Sequence, residues 1–301
     1  MAPILLPSDV GEIWRRAPQR RHRVASIRVA PPYDLGRTLE CGQVFRWTLH
    51  GDEAVGTFRG RRWTVRRDGN LLRAHLDGVA SGRRQVAPLW RHLATDAPLS
   101  LIEERLARDP VLRRILPHTT GIAIMRQDPW ECLVSFVISA FNNIPKIRQS
   151  VEQLCRRFGE PVPGGGYAFP TAARLAEARP PALRACLLGY RAPYVRGVAR
   201  AVADRMVGLS RLAAVPYEAA REALVALPGV GEKVADCVLL FSHGHTEAFP
   251  VDVWIQRAVE EAYFRGRRTP GAIREWARDQ FGPLAGYANQ HLFLAARSGL
   301  I

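Results

Sequence analysis

Cysteine is scarce in this 301-residue sequence, and no two cysteines have the Cys-x-x-Cys spacing. A disulfide framework, a zinc site and a cysteine-ligated cluster are therefore not expected. No apolar run approaches the length of a membrane-spanning helix, and the apolar stretch at the start is too short for a signal peptide. We therefore expect a protein of the cytoplasm, associated with the nucleoid if it is prokaryotic, without membrane contact. We also expect a monomer. The five cysteines are Cys41, Cys132, Cys155, Cys186 and Cys237.

Lysine is scarcer still: only two of the 43 basic residues, Lys146 and Lys233, are lysines, and the others are arginines. The formal net charge is +15 and the isoelectric point is about 10.7. Such a charge favours a polyanionic partner, which is bound through phosphate contacts and counterion release. Because the arginines are scattered and form no amphipathic basic helix, nucleic acid is a better candidate than an acidic membrane surface.

The most informative stretch runs from Leu227 to Trp254. It begins with LPGVG at 227–231, and an apolar run at helical spacing follows. This pattern predicts a helix end, a tight turn in which Gly229 and Gly231 take positive φ, and a second helix. Backbone amides at such a turn bind one phosphate at the positive end of the helix dipole. The spacing fits neither the Walker nor the dinucleotide pattern.

Lys233 stands in the first turn of the second helix. Unlike arginine, lysine can lose its proton and attack carbon as an amine. The dipole at the helix N-terminus and the apolar neighbours Val230 and Val234 favour the uncharged form. An ordinary solvated lysine is the alternative interpretation, but the scarcity of lysine and the preceding turn favour a nucleophile.

Asp252 follows 19 residues after Lys233 and starts another helical pattern as an N-cap. A carboxylate at a helix start stays ionised, so it can stabilise a developing oxocarbenium ion or take a proton from a nearby lysine. Capping and catalysis are compatible. Asp236, three residues after Lys233, is the competing carboxylate, but its spacing suits a simple surface pair.

The rest of the chain divides into a β-rich and a helical part. Strands are expected at 44–48, 54–58 and 62–66, separated by turn signals, and helices from 87 to 116 with a break at Asp109. Asp128 begins a helix that is apolar nearly all round and should be buried. Gly189 should end a later helix. His243 and His245 lie in a glycine loop without acidic or cysteine partners, which predicts solvated side chains rather than a metal site.

The turn, Lys233, Cys237 and Asp252 together resemble the signature of the helix-hairpin-helix DNA glycosylases, and their surroundings are similar to the 8-oxoguanine glycosylase/lyase branch. The resemblance implies an α+β protein. Its N-terminal antiparallel, TBP-like sheet domain would cover residues 1–118, and an all-α helix-hairpin-helix glycosylase domain would cover 119–301. The implied enzyme excises 8-oxoguanine from duplex DNA and nicks the abasic strand through a lysine Schiff base. No cofactor is implied, apart from a structural monovalent cation at the hairpin carbonyls.

The resemblance also implies a pocket for the extruded base, formed by Gly42, Cys237, Asn289 and Phe293. The carbonyl of Gly42 would accept a hydrogen bond from the N7–H of 8-oxoguanine, where guanine has an acceptor. Phe293 and Cys237 would flank the base. Asn289 stands where relatives have a glutamine that reads the Watson–Crick edge, and Gln290 would share that role because asparagine is one methylene shorter.

A second set of residues would fill the gap that the base leaves in the duplex. Phe141 stands where the eukaryotic enzymes have an asparagine that contacts the orphaned cytosine, and it would stack instead. Tyr190 would wedge into the base stack beside Arg191. The set implied by the resemblance is Phe141, Asn142, Asn143, Lys146, Tyr190 and Arg191.

Two other functions are compatible with the sequence. A glycosylase for another base, such as an alkylated purine, would share the hairpin and Asp252. A non-catalytic DNA-binding module would share the hairpin and the charge but would have no need of Lys233.

Overall fold

The computed structural model describes residues 25–76 and 83–301, and the apolar stretch at the start of the chain lies outside these residues. The first described part forms a five-stranded antiparallel sheet in the order β1-β5-β4-β3-β2. It is a meander of β2 to β5 with β1 added at the edge of β5. The strands are β1 Ala25–Arg28, β2 Trp47–His50, β3 Glu53–Phe58, β4 Arg61–Asp68 and β5 Leu71–Leu76.

Helices make up most of the remainder, so the described residues confirm the α+β fold class with the sheet first. The α-helices are α1 Leu35–Glu40, α2 Arg83–His92, α3 Leu99–Leu106, α4 Pro110–Thr119, α5 Pro129–Ser139, α6 Ile144–Phe158, α7 Ala172–Ala176, α8 Pro180–Leu183, α9 Ala192–Ala203, α10 Tyr217–Val225, α11 Glu232–Val238, α12 Val253–Val259, α13 Pro270–Phe281 and α14 Ala285–Arg297. Short 3-10 or π-helical turns are Arg184–Leu188, Gly189–Arg191, Leu209–Ala214, Leu239–His243, Glu260–Phe264 and Gly282–Leu284. No helix among the described residues is both long and apolar enough to cross a membrane.

Local sequence signals place many of these elements correctly. The side chains of Asp109, Asp128 and Asp252 cap α4, α5 and α12 by accepting backbone amides, as the sequence predicts. Two of the expected strands lie within β3 and β4. The strand expected at 44–48 begins only at Trp47, because residues 41–46 form an irregular turn in which Gly42 has φ +82°.

Helix α5 is the centre of the helical part. Eight successive residues, Cys132–Ser139, are buried, as the apolar pattern predicts. The ring of Phe136 stacks on Phe241, with centroids 5.4 Å apart, and meets Phe45 edge-on at 5.5 Å. Because Phe45 belongs to the turn before β2, this aromatic group joins the sheet to the helices.

Gln43 fixes the same turn by hydrogen bonds across the predicted domain boundary. Its side-chain amide donates to the carbonyl of Ala123 at 2.8 Å and accepts from the amide of Met125 at 2.8 Å. The side chain of Gln127 donates to the Gln43 carbonyl at 2.6 Å. Gly42 is therefore held beside the helical part, while the division at residue 118 stays a prediction.

The prediction of solvated histidines is wrong. His243 and His245 are each 8% exposed, and their Nε2 atoms lie 2.8 Å and 2.9 Å from the carbonyl oxygens of Leu209 and Leu212. Burial lowers the pKa of His243. The segment Leu209–Ala214 packs over this loop from a distant part of the sequence, and no pattern within the loop signals that contact.

Candidate active site

The predicted hairpin is formed by α10, a turn and α11. Gly229 has φ +74°, and a Cβ atom there would lie 2.4 Å from Cγ of Tyr194. Gly231 is the N-cap of α11 with an extended backbone, φ −87° and ψ 175°, and open space surrounds its Cα. Only Gly229 thus requires glycine, contrary to the expectation of positive φ at both. The first amides of α11 receive no side-chain cap, which leaves them available to an anion.

Lys233 is half-buried in the first turn of α11. Its Nζ lies 3.3 Å from Oγ of Ser139, at the end of α5. The same nitrogen stands 5.2 Å from the centroid of the Phe136 ring. The side chain therefore reaches across to the buried helix α5 instead of extending into solvent.

Cys237 lies one turn after Lys233 and is buried. Burial raises the pKa of its thiol to about 12, so the thiol is neutral at physiological pH. The charge of Lys233 lowers this pKa, and those of Asp236 and Asp252 raise it. The thiol therefore has charged groups of both signs around it, and the pairing of Lys233 with Asp252 in one catalytic site stays a prediction. Asp252 also accepts the Ile255 amide at 2.9 Å, which holds its carboxylate at the start of α12.

Gly42 and Phe293 are brought together from opposite ends of the chain. A Cβ atom at Gly42 would lie 2.9 Å from Cε1 of the Phe293 ring and 3.5 Å from Cδ1 of Ile144. The turn around Gly42 can approach the ring so closely only because it has no side chain. Phe293 is half-buried, and the guanidinium carbon of Arg297 lies 5.6 Å from its ring centroid.

Asn289 is buried, and its side-chain nitrogen donates to the carbonyl of Pro250 at 2.9 Å. This bond ties α14 to the segment that leads into Asp252. Gln290 is also buried, and its Oε1 has no hydrogen-bond partner. The structure thus places Asn289 beside the catalytic segment with its donor already in use, and a base-reading role stays a prediction.

The segment after α5 forms an exposed tip. Phe141 has φ +48° and its side chain is 97% exposed. The guanidinium of Arg191 donates to the carbonyls of Ala140 at 2.7 Å and Phe141 at 2.8 Å, and Tyr190 Oη donates to Ala140 at 3.2 Å. Tyr190 is exposed as expected, whereas Arg191 is buried and braces the tip from within the protein.

The residues after Phe141 complete the tip. The side-chain nitrogen of Asn142 donates to the carbonyl of Ile138 at 3.2 Å. Asn143 caps α6 by accepting the backbone amide of Lys146 at 3.0 Å, and the side chain of Lys146 is exposed. The polar side chains of these residues lie beside the exposed ring of Phe141. Such a surface is suited to contact with a nucleic-acid backbone.

Asp236 does not form the simple surface pair that its spacing suggests. It is fully buried, 2.6 Å from Oη of Tyr217 and 3.3 Å from Nε of Arg221. Arg274 lies 3.9 Å from the same carboxylate and bridges to Glu232 at 2.8 Å. Burial raises the pKa of Asp236 to about 6, and the Tyr217 hydroxyl and both guanidinium groups oppose that shift. This ionic cluster holds α11 against α10 and α13.

Three groups at the site were not predicted from the sequence: the hydroxyl of Ser139, the ring of Phe136 and the side-chain amide of Gln43. None of the three belongs to a recognisable motif, and nothing in their spacing marks them. Within the described residues, no group of three or more His, Cys, Asp or Glu side chains could hold a metal ion.

Gly229→Ala should weaken the hairpin, because alanine is strained at φ +74° and its Cβ would enter the ring of Tyr194. We expect a loss of about 2–3 kcal/mol in the free energy of unfolding, together with weaker binding of duplex DNA. Urea denaturation and fluorescence anisotropy measure the two effects. Gly231→Ala is the matched control and should cost under about 1 kcal/mol. Equal losses in the two variants would contradict the proposed role of Gly229.

The Asp236 carboxyl should make stability depend on pH. Its pKa is raised to about 6 in the folded protein, so the folded state binds a proton that the unfolded state releases. This contribution is complete below about pH 4 and is lost as the pH rises through 6. Relative to Asp236→Asn, the free energy of unfolding of the native protein should fall by roughly 3 kcal/mol between pH 4 and pH 7. Urea titrations at both pH values test this, and a constant difference would refute it.

Comparison with known proteins assigns the chain to a family. The family model for the N-terminal domain of 8-oxoguanine DNA glycosylase matches residues 27–133, and that for HhH-GPD superfamily base excision DNA repair proteins matches 134–283. The N-glycosylase/DNA lyase OGG1 of Arabidopsis thaliana is 33% identical over 87% of this chain and 76% of its own length. The N-glycosylase/DNA lyase of Saccharomyces cerevisiae is 37% identical over 76% of this chain and 68% of its own.

Solved structures agree. A structure of MBOgg1 with a low-affinity DNA ligand has a TM-score of 0.88 at 33% identity and covers 93% of this chain and 99% of its own. The Clostridium acetobutylicum 8-oxoguanine glycosylase/lyase, bound to double-stranded DNA with cytosine opposite 8-oxoG, has a TM-score of 0.86 at 28% identity over 92% of this chain and 98% of its own. The chain therefore belongs to the 8-oxoguanine DNA glycosylase family, within the HhH-GPD superfamily of base excision DNA repair proteins.

Proposed function

We propose that this protein excises 8-oxoguanine from duplex DNA and then cleaves the abasic strand through a covalent bond to Lys233. The observation that carries the proposal is the position of Lys233 after the hairpin turn, in the first turn of α11, with its Nζ 3.3 Å from Oγ of Ser139 and with Cys237 one turn away. The Gly42 turn and the Phe293 ring, which lie against each other, would supply a contact for the base. The names of the relatives, N-glycosylase/DNA lyase, support both activities.

Recognition of the oxidised base rests on Gly42 and on two flanking groups. 8-oxoguanine carries a hydrogen on N7 where guanine has a lone pair, so a fixed carbonyl attracts the lesion and repels the normal base. Because the thiol of Cys237 is neutral, it can lie against one face of the base as a small apolar group. The half-buried ring of Phe293 would stack on the other face.

The chemistry begins when the base is outside the stack, since C1′ cannot be reached within the duplex. The unprotonated Nζ of Lys233 forms a bond to C1′ while the bond from C1′ to the base nitrogen breaks, and the electron pair leaves with the base. The carboxylate of Asp252 stabilises the positive charge that develops on the sugar. The nitrogen gives up a proton to the departed base. The C1′–O4′ bond then breaks as the C1′=N double bond of the Schiff base forms, and O4′ takes a proton from water. A proton leaves C2′, and the C3′–O bond breaks with its electron pair leaving on the phosphate. Hydrolysis of the imine releases Lys233.

The hairpin would hold the DNA for this reaction. The amides at Gly229 and Gly231 would bind one phosphate at the start of α11. A monovalent cation at the hairpin would have backbone carbonyls as its ligands. The carbonyl of Leu227 accepts the Val230 amide at 3.1 Å and keeps a second lone pair, so it can serve as such a ligand. We retain the cation as a structural proposal, and no step of the reaction passes through it.

The exposed tip would replace the extruded base. The ring of Phe141 can stack on neighbouring bases but has no hydrogen-bonding group for the orphaned partner. We therefore propose that the protein tolerates any base opposite the lesion. We also propose that it acts as a monomer, since every site residue comes from one chain. The free state of all five cysteines is consistent with a reducing compartment such as the cytoplasm.

An alkylated purine is the second candidate substrate, because the donor of Asn289 is already bonded to Pro250 and leaves the Watson–Crick edge weakly read. A panel of duplexes with 8-oxoguanine or an alkylated purine separates the two. Excision of the alkylated base alone would exclude our assignment.

Borohydride trapping on an 8-oxoguanine duplex tests the covalent mechanism. The native protein should form a stable adduct, and Lys233→Gln should form none because no amine remains to attack C1′. Asp252→Asn retains the helix cap, since asparagine is an equally good N-cap. This variant should fold normally but lose about 100-fold or more in single-turnover rate. An undiminished adduct after Lys233→Gln would disprove the mechanism.

The exposed ring of Phe141 leads to a separate prediction about the base opposite the lesion. Single-turnover excision of 8-oxoguanine opposite cytosine, adenine, guanine and thymine should proceed at rates within about threefold, because Phe141 offers no directional contact. Phe141→Asn should create a preference for one partner of about tenfold, the gain expected from one good hydrogen-bonded contact. Met206→Asn, at another exposed apolar position, is the control. A strong preference in the native protein would contradict this account.

A further inference from the structure

Ser139 occupies the last position of α5 and is 8% exposed. Its hydroxyl donates to the carbonyl of Phe136 at 2.7 Å. A hydroxyl has one proton and two lone pairs, so after this bond only the lone pairs remain. Lys233 Nζ, 3.3 Å away, must therefore be the donor in its contact with Ser139. The proton of Ser139 is committed to the helix, and its free lone pair faces the nucleophile.

We infer that Ser139 is a positioning residue for the reaction: its hydroxyl sets the place of the Lys233 amine and connects that amine to the DNA-facing tip. The inference rests on the proposed function, because it assigns a role relative to Lys233 as nucleophile. It concerns a side chain that reaches neither the base nor the sugar in our mechanism.

The surroundings of the amine explain why one acceptor matters. A lysine side chain has four rotatable carbons, and its amine can adopt many positions unless a directional contact selects one. The ring of Phe136, 5.2 Å away, attracts the charged form of the side chain toward its face but gives the uncharged amine no directional contact. The thiol of Cys237 is a weak acceptor. Ser139 is the directional oxygen acceptor among the described contacts of Nζ.

The connection to the tip follows from the order of the chain. The residue after Ser139 is Ala140, whose carbonyl accepts both the guanidinium of Arg191 and the hydroxyl of Tyr190. The next residue is Phe141, whose carbonyl also accepts from Arg191. Of three consecutive residues, Ser139 thus contacts the Lys233 amine, Ala140 accepts hydrogen bonds from Arg191 and Tyr190, and Phe141 lies at the exposed tip. A single residue, Ala140, separates the Ser139 hydroxyl from the exposed tip.

Ser139→Ala tests the inference, with Ser135→Ala as the matched control. Ser135 lies one turn earlier on α5, is also buried, and makes no described contact with Lys233. We expect Ser139→Ala to lower the single-turnover excision rate and the rate of borohydride-trapped adduct formation by about 10- to 100-fold, the range for a misplaced reacting group. Binding of an uncleavable duplex should change less than about threefold, and Ser139→Thr, which restores the hydroxyl, should recover most of the rate.

The outcomes separate this inference from the proposed function. If the native protein forms no adduct, the proposed function fails. If the native protein forms the adduct and Ser139→Ala forms it equally fast, the positioning role is wrong. Equal losses in Ser139→Ala and Ser135→Ala would indicate a general packing defect and would also overturn the inference. Thermal unfolding of each variant supports the comparison, and Ser139→Cys replaces the threonine variant if the added methyl group prevents folding.

Discussion

The structure depends on the ionic contacts that fix helix α11 against its neighbours. One face of α11 carries Lys233 and Cys237, one turn apart, and a neighbouring face about 100° around the helix carries Glu232 and Asp236 with the same spacing. Asp236 has no contact with solvent, and guanidinium groups from α10 and α13 surround it. Removing one partner from such a cluster leaves a buried charge uncompensated, which is costly. The amine is therefore presented by a helix that has little freedom to rotate or slide.

The site is assembled around this helix from elements that are distant in sequence. Phe136 and Ser139 of helix α5 contact the Lys233 amine. The carboxylate of Asp252 stands at the start of α12. The turn at Gly42 comes from the sheet domain and meets Phe293 of the last helix. The candidate site residues thus come from both the sheet and the helical part, and their arrangement depends on the contact between the two. The buried aromatic group of Phe45, Phe136 and Phe241 holds that interface together.

Features with local causes could be predicted from the sequence. The caps at Asp128 and Asp252 follow from side chains that satisfy amides two or three residues away, and the hairpin follows from its glycines. Features with distant causes could not. Asp236 looks like a surface residue because its partners lie on other helices, and nothing in the sequence indicates the contact between Ser139 and Lys233, which are 94 positions apart. Similarity to a family indicated the roles of Gly42 and Phe293, which local patterns do not reveal.

The hydrogen bonds of the Gln43 side chain have a consequence for how this protein can be divided into fragments. One side chain is bonded to segments on both sides of the expected boundary. If the neighbouring Gly42 contacts the base as proposed, a helical fragment produced alone would keep Lys233 and the hairpin amides but would lack the carbonyl that distinguishes oxidised from normal guanine. Such a fragment should bind DNA without discriminating between the two bases. Exchange of the helical part alone between proteins should therefore lose recognition of the oxidised base.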